Sequence, residues 1–137
     1  MKQIFLYLSL LTLILVGCKK EAGEGGQATI KGKISKEVRL VITNPSTLQT
    51  TYPAPDQEVF IVYGENTSPD DRIHTNFDGE FEFKFLREGN YTIYTYSKDT
   101  TGNVSVDPNR MAIVQKIEIS DRKQTIDAGT MTVYDTN

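Results

Sequence analysis

T-N-F-D-G-E-F-E-F-K-F, residues 75–85, is the stretch that decides how this chain folds. Asp78-Gly79 is typical of a tight hairpin turn, because glycine adopts the positive φ that such a turn requires. After the turn, three aromatic residues alternate with three charged residues: Phe81, Phe83 and Phe85 with Glu80, Glu82 and Lys84. This alternation predicts a strand with its three rings on one sheet face. Such an apolar face must be covered by a second layer.

Working outward, the chain shows one short strand pattern after another and no sustained helical period. Strands are predicted at residues 29–35, 58–64, 72–76, 80–85, 90–97, 111–119 and 125–134, with a further short apolar run at residues 38–43. Residues 44–56 are rich in proline and are predicted to be a loop. Gly32 indicates a close backbone approach or a bulge, and Gly129 a bulge. We therefore expect an all-β, seven- to eight-stranded antiparallel β-sandwich.

Four short motifs resemble the carboxypeptidase regulatory-like domain, a family of the prealbumin-like (transthyretin-like), Ig-like sandwiches. They are I-K-G-K-I, P-A-P-D-Q-E-V-F-I, T-N-F-D-G-E-F-E-F and L-R-E-G-N-Y-T-I, and the resemblance covers residues 28–98. The matching positions are Gly32, Pro55, Val59, Thr75, Gly79, Phe81, Leu86, Gly89 and Tyr91. The resemblance implies a module that is usually not an enzyme. Collagen-binding B-type surface repeats look similar.

The N-terminus has the features of an export signal. Lys2 precedes an apolar run at residues 4–16, which is shorter than the ~20 residues that a transmembrane helix needs. The run ends in L-V-G-C, residues 15–18, which resembles the lipobox of bacterial lipoproteins, where the cysteine is acylated by chains such as palmitate. We expect a signal peptide at 1–17, a flexible tether at 18–28 that begins at lipidated Cys18, and one domain at 29–137. The alternatives are a stray cysteine after an ordinary signal peptide, or an uncleaved anchor.

Composition narrows the classes of partner. Cys18 is the single cysteine, so neither a disulfide framework nor a cysteine-based metal site is expected. Loss of residues 1–17 removes one of 15 basic residues and none of 18 acidic ones, which leaves 14 − 18 = −4. This balance argues against a nucleic-acid partner. We expect the protein to be lipid-anchored in the cell envelope, on the extracytoplasmic side of a bacterial membrane, the outer membrane.

The candidate binding residues are aromatic. If Val59, Ile61, Tyr91 and Ile93 face the core, then the residues of opposite parity face outward: Phe60, Val62, Tyr94 and Tyr96. Exposed neighbouring rings can mark a partner or sugar site. The alternative is that the insertion at residues 38–51 or the closing strands cover these rings.

The sequence only weakly indicates catalysis, metal binding or an internal isopeptide bond. His74 has no second histidine or cysteine at ligand spacing and no nearby nucleophile, so no catalytic or metal role is expected for it. Five aspartates lie in predicted loops: Asp70, Asp71, Asp78, Asp99 and Asp107. Clustered loop acids can bind calcium, but no D-x-D-x-D-G pattern is present, and turn formation is the commoner role of such residues. The isopeptide bond known in B-type repeats would need an inward lysine, whereas Lys31 and Lys33 are predicted to point outward.

The functional expectation is therefore a non-catalytic structural or binding module that needs no cofactor and no metal. Its expected partners are the membrane, through the lipid, and a protein or a carbohydrate. The alternatives are a small-ligand or metal-binding enzyme accessory at the cell surface, or a bare spacer.

Overall fold

The computed structural model describes residues 21–40, 47–98 and 110–136. These residues form eight β-strands and no helix. The described part of the chain therefore contains no helix that could span a membrane. The strands are β1 (Glu24–Leu40), β2 (Thr47–Pro53), β3 (Glu58–Tyr63), β4 (Asp71–His74), β5 (Glu80–Leu86), β6 (Gly89–Lys98), β7 (Arg110–Ile119) and β8 (Thr125–Thr136).

The strands are divided between two four-stranded sheets that pack face to face. In sheet A, β5 and β2 pair with successive parts of β1 on one side, and β8 pairs with β1 on the other side. Sheet B has the order β4-β3-β6-β7. Every pair is antiparallel except β1 with β8, which run parallel. The predicted all-β sandwich is confirmed, with this one parallel pair as the departure from the expected pattern.

The core consists of inward-facing residues from both sheets, as the period-2 alternation predicts. Its largest fully buried side chains are Tyr91, Ile30, Ile34, Ile61, Leu86, Ile93, Ile119, Val59, Val133 and Thr95. β3 lies between β4 and β6, and the strand predicted at residues 58–64 is confirmed over Glu58–Tyr63.

β1 begins earlier than the sequence indicates. Residues 24–28, which were predicted to belong to the flexible tether, are its first residues. The backbone of Gly23 is held by Arg87, whose N–H donates to the Gly23 carbonyl at 2.8 Å, and Ala28 is completely buried. A Cβ on Gly26 would lie 1.8 Å from the Leu86 carbonyl oxygen. The glycines of this segment therefore allow close packing, which composition alone does not distinguish from flexibility.

The loop predicted at residues 44–56 contains a strand. β2 pairs with the C-terminal part of β1, from Ser35 opposite Pro53 to Leu40 opposite Thr47. Pro53 ends the strand, at an edge position where a missing N–H costs no ladder hydrogen bond. Residues 38–40 of the predicted second apolar run continue β1, and residues 41–43 lie outside the described part of the chain.

The Asp78-Gly79 turn is present, but it is not a hairpin. β4 lies in sheet B and β5 in sheet A, so the turn carries the chain from one sheet to the other. The Asn76 side-chain oxygen accepts the Asp78 and Glu80 N–H groups at 3.0 and 2.8 Å. Gly79 has φ 72° and lies against the Ile34 carbonyl. The predicted turn is confirmed, but the pairing of its flanking strands depends on contacts far away in the chain.

The prediction that three phenylalanine rings of β5 share the core face is wrong for one of them. Phe81 and Phe83 are buried, but Phe85 is 69% exposed and has φ 59°. The pairing of β1 with β5 shifts register at this end, and Leu86 takes the buried position instead. Alternation fails here because one residue with positive φ reverses the order of faces along the strand.

Gly32 and Gly129 meet at one irregularity of sheet A. The pairing of β1 with β8 shifts register between Lys31 and Lys33, and Gly129 has φ 72°. A Cβ on Gly32 would lie 2.7 Å from the Phe81 ring. Both the predicted bulge and the predicted close approach are confirmed. Lys31 and Lys33 are exposed, as predicted.

Candidate functional site

Three aromatic side chains lie together on the outward face of sheet B. Phe60 of β3 is paired in register with Tyr94 of β6, and Tyr96 is the next outward residue of β6. Their chain neighbours Val59, Ile61, Ile93 and Thr95 are buried. Strand alternation therefore turns these three rings away from the core, as predicted. We call Phe60, Tyr94 and Tyr96 the aromatic face.

The three rings of the aromatic face contact one another. Phe60 and Tyr94 are stacked with their centroids 4.9 Å apart and their planes at 13°. Tyr96 stands edge-on to both, at 5.7 Å from Phe60 and 5.6 Å from Tyr94. All three side chains remain partly exposed, whereas Val62, which was predicted to face outward with them, is only 9% exposed. Stacking uses one side of the Phe60 and Tyr94 rings, and the result is one contiguous aromatic surface.

Charged residues border this surface. The Arg110 guanidinium carbon lies 4.2 Å from the Tyr96 ring centroid, a cation–π contact. On the other side, Arg72 is paired in register with Phe60 and its guanidinium donates to the Glu58 carboxylate at 3.0 Å. A shallow depression of about 400 Å³ lies next to Phe60 and is lined by residues 69–72. The aromatic face thus has hydrogen-bond donors along two of its sides.

The hydroxyl of Tyr94 keeps its proton at neutral pH. Burial, and after it the neighbouring Tyr96, raises the pKa of this phenol above its ordinary value. A protonated phenol both donates and accepts hydrogen bonds. The aromatic face therefore combines apolar ring surface with a neutral polar group.

The outward face of sheet A is different in character. Its exposed residues include Lys33, which pairs with Glu80 at 2.9 Å, and Lys84, which pairs with Glu82 at 2.9 Å. Such exposed ion pairs are the usual surface of a soluble sheet. The contrast makes the aromatic face the less ordinary of the two outer surfaces.

The segments expected to cover the aromatic face lie elsewhere, as far as the structure describes them. Of the insertion at residues 38–51, residues 38–40 belong to β1 and residues 47–51 to β2, and both strands are in sheet A. β7 lies beside β6 within sheet B, and β8 belongs to sheet A. β2, β7 and β8 therefore do not cover the aromatic face, whereas residues 41–46 of the insertion lie outside the described part of the chain.

The remaining candidates do not converge on a site. His74 is half-exposed, with its Nε2 3.9 Å from the Glu58 carboxylate. Asp70 accepts the Tyr63 N–H at 2.7 Å and the Asn66 amide at 2.8 Å, which is turn chemistry. Within residues 21–40, 47–98 and 110–136, no three potential metal ligands come together. Cys18, Asp99 and Asp107 lie outside these ranges.

Sequence reasoning found the three rings but missed Arg110 and Val114 beside them. Val114 is paired in register with Tyr94 and is 54% exposed. Alternation along β7 could have placed Val114 on one face, but only the pairing of β7 with β6 shows that this face is the aromatic one.

Comparison with known proteins yields a distant likeness. No family model matches the chain, and no curated protein matches it. One solved structure that is similar in fold is that of a "putative carbohydrate binding protein" from Pseudomonas aeruginosa. It is 12% identical over 85% of this chain and 92% of its own, with a TM-score of 0.46.

Proposed function

We propose that this protein is a lipid-anchored, non-catalytic binding module of the bacterial cell envelope, and that it binds a carbohydrate through the aromatic face. The observation that carries the proposal is the contiguous surface of Phe60, Tyr94 and Tyr96 on an outward sheet face, bordered by Arg110 and Arg72. Sheet A has paired charges on its outer face, and its exposed rings, Tyr52 and Phe85, lie on different strands. We also propose that the domain belongs with the carboxypeptidase regulatory-like sandwiches, an assignment that the motifs in residues 28–98 and the sandwich fold support.

The chemistry of the aromatic face suits a sugar ring. A pyranose has an apolar C–H face, which packs on aromatic rings, and an equatorial edge of hydroxyl groups. The Tyr94 phenol and the Arg110 guanidinium can serve those hydroxyls, since one donates and accepts and the other donates. The face offers ring surface and hydrogen bonds rather than a nucleophile beside a base, which is the basis for proposing binding without catalysis.

The lipid would hold the domain close to the bilayer. Gly23 is hydrogen-bonded to the sandwich through both its N–H and its carbonyl. Only residues 19–22 then separate Cys18 from this fixed point. Five residue steps span at most about 18 Å when fully extended. The proposed tether is therefore shorter than composition alone indicates, and the end of the sandwich that contains Gly23 and Arg87 is next to the membrane.

Carbohydrate binding is tested by affinity electrophoresis of the protein through gels that contain cell-envelope and plant polysaccharides. We expect at least one polysaccharide to retard the wild-type protein, and Tyr94→Ala/Tyr96→Ala to abolish the retardation. The matched control is Tyr52→Ala, which removes a 40% exposed tyrosine from sheet A. Equal retardation of wild type and double variant would contradict the role of the aromatic face. Pull-down from solubilised envelopes with the same variants distinguishes a protein partner.

The anchor is tested separately by fractionation of cells. Wild-type protein is expected in the membrane fraction, with a mass increase from the acyl chains, and Cys18→Ala in the soluble fraction. Two acyl chains bind firmly because each buried CH₂ contributes about 0.8 kcal/mol. Retention of Cys18→Ala in the membrane would contradict lipidation as the anchor.

A further inference from the structure

β7 is an open edge of sheet B. Within the described residues it pairs with β6 alone, over ten residues from Arg110 to Ile119 and without a register shift. The other edges are blunted in the ways that natural sheets use. β4 has four residues, β2 ends at Pro53, β8 is interrupted by its bulge, and β5, which pairs with β1 alone, is irregular at Phe85, whose φ is 59°. A long, regular edge presents backbone donors and acceptors to a further strand.

The outward side chains of β7 are arranged in a particular order. From one end to the other they are Arg110, Ala112, Val114, Lys116 and Glu118, and all five are exposed. A cation is at the first position and an anion at the last, and the exposed apolar Val114 is at the centre. In an antiparallel pair, residues directly opposite each other lie on the same sheet face.

This order is complementary to itself. When Val114 lies opposite Val114 of a second copy, Arg110 lies opposite Glu118 of that copy, and the ion pair occurs twice by symmetry. Ala112 then lies opposite Lys116, whose aliphatic stem can cover it.

Neighbouring registers lack this match. An axis at Lys116 places that amine opposite itself, and an axis one residue before Val114 places Arg110 opposite Lys116. Like charges directly opposite each other are destabilising. An axis one residue after Val114 forms no pair of unlike charges. An axis at Ile117 pairs Lys116 with Glu118 but keeps only residues 115–119 paired, so the Val114-centred register is the favoured one.

We propose that a second copy of this chain adds to β7, antiparallel and centred on Val114, to give a symmetric dimer with a continuous eight-stranded sheet. Because the two-fold axis is perpendicular to the sheet, both aromatic faces lie on the same side of it. Tyr94 is in register with Val114, so the two Tyr94 residues are three strand spacings apart, about 14 Å. The dimer thus offers two aromatic faces to one repetitive ligand.

The dimer requires a high local concentration. Pairing along one ten-residue strand buries less surface than a stable interface in dilute solution needs, about 1,200 Å². Two copies confined to one membrane have a raised effective concentration. This part of the inference rests on the proposed lipid anchor, whereas the register of the strand pair does not.

The test is disulfide cross-linking of the full-length chain in intact cells. Val114→Cys places two thiols opposite each other, with Cα atoms about 5 Å apart, within reach of a disulfide. Lys116→Cys is the matched control, because its two copies are offset by four residues, about 14 Å. We expect a disulfide dimer for Val114→Cys and none for Lys116→Cys. Wild-type protein is expected to form none either, and it serves as the control for disulfides formed by Cys18. Absence of the Val114→Cys dimer, or equal dimers for both variants, would overturn the proposal.

Charge reversal then tests the register. In the Val114→Cys background, Arg110→Glu is expected to slow cross-linking about fivefold, since two exposed ion pairs become repulsive. Adding Glu118→Arg is expected to restore the rate, and failure to restore it would overturn the Val114-centred register. Membrane and soluble fractions of the same cells are analysed separately. Loss of membrane anchoring is thereby distinguished from loss of strand pairing through β7.

Discussion

Replacement of Tyr91 by phenylalanine should cost more stability than the loss of one hydroxyl suggests. The Tyr91 side chain is 1% exposed, and its hydroxyl accepts the Gly23 N–H at 3.0 Å while donating to the Arg87 carbonyl at 2.8 Å. Tyr91 thus joins β6, the turn after β5 and the start of β1. Phenylalanine keeps the ring and its packing but removes both hydrogen bonds.

The magnitude follows from what remains after the substitution. A buried N–H without a partner costs about 1–3 kcal/mol, and each lost hydrogen bond contributes about 1 kcal/mol net. We therefore expect Tyr91→Phe to lower the free energy of unfolding by about 2–3 kcal/mol. For a domain of this size, roughly 4 °C per kcal/mol gives a fall in Tm of about 8–12 °C.

Tyr63→Phe is the matched control at the same end of the sandwich. Its ring is partly buried against the core, but its hydroxyl makes a long hydrogen bond to an exposed partner, the Glu24 carboxylate at 3.4 Å. Loss of such a hydroxyl near neutral pH usually alters stability by less than about 0.5 kcal/mol. Urea and thermal unfolding measure both variants, and hydrogen exchange at the Gly23 amide should accelerate in Tyr91→Phe alone. If Tyr91→Phe costs no more stability than Tyr63→Phe, this hydroxyl does not fix the start of β1.

Three further outcomes are expected. Gly32→Ala should lower the free energy of unfolding by about 1–3 kcal/mol in urea titrations, because its Cβ would meet the Phe81 ring at 2.7 Å; an unchanged midpoint would contradict the close approach. Gly79→Ala should destabilise by at least as much, since it adds strain at φ 72° to a Cβ 2.4 Å from the Ile34 carbonyl, and a milder effect would count against a rigid turn. Burial, and after it nearby carboxylates, raises the pKa of Tyr63 to about 12 from 10.0, so its contribution to stability is complete below pH 10 and declines between pH 10 and 12. Between pH 10 and 12 the free energy of unfolding should decline less steeply for Tyr63→Phe than for the wild type. Parallel curves for the two proteins would contradict burial as the cause of the raised pKa.

Much of the fold could be predicted because it depends on local patterns. Alternating residues in β3, β6 and β7 indicate both the strand and its buried face, since a strand turns successive side chains to opposite sides. The failures occur where a local signal depends on a distant partner. Residues 24–28 look flexible by composition, yet Gly26 packs against the Leu86 carbonyl.

The aromatic face was half predictable. Parity along β3 and β6 identifies Phe60, Tyr94 and Tyr96 as outward residues. It cannot show that β3 and β6 are neighbours, that the rings meet at 4.9–5.7 Å, or that Arg110 reaches Tyr96. These facts require the order of strands in the sheet, which the alternation of residues leaves open.

Residues 75–85 show the division between sequence and structure most clearly. The sequence by itself determined that Asp78-Gly79 turns the chain and that a strand with buried Phe81 and Phe83 follows, because φ preference and period-2 alternation are local properties. Only the tertiary structure decided that this turn joins two sheets and that Phe85 faces solvent. It also decided that β7, among the residues that the structure describes, pairs with β6 alone and lies next to the aromatic face. Strand pairing is chosen by the total burial and hydrogen bonding of the whole sandwich, and no short stretch of sequence contains that sum.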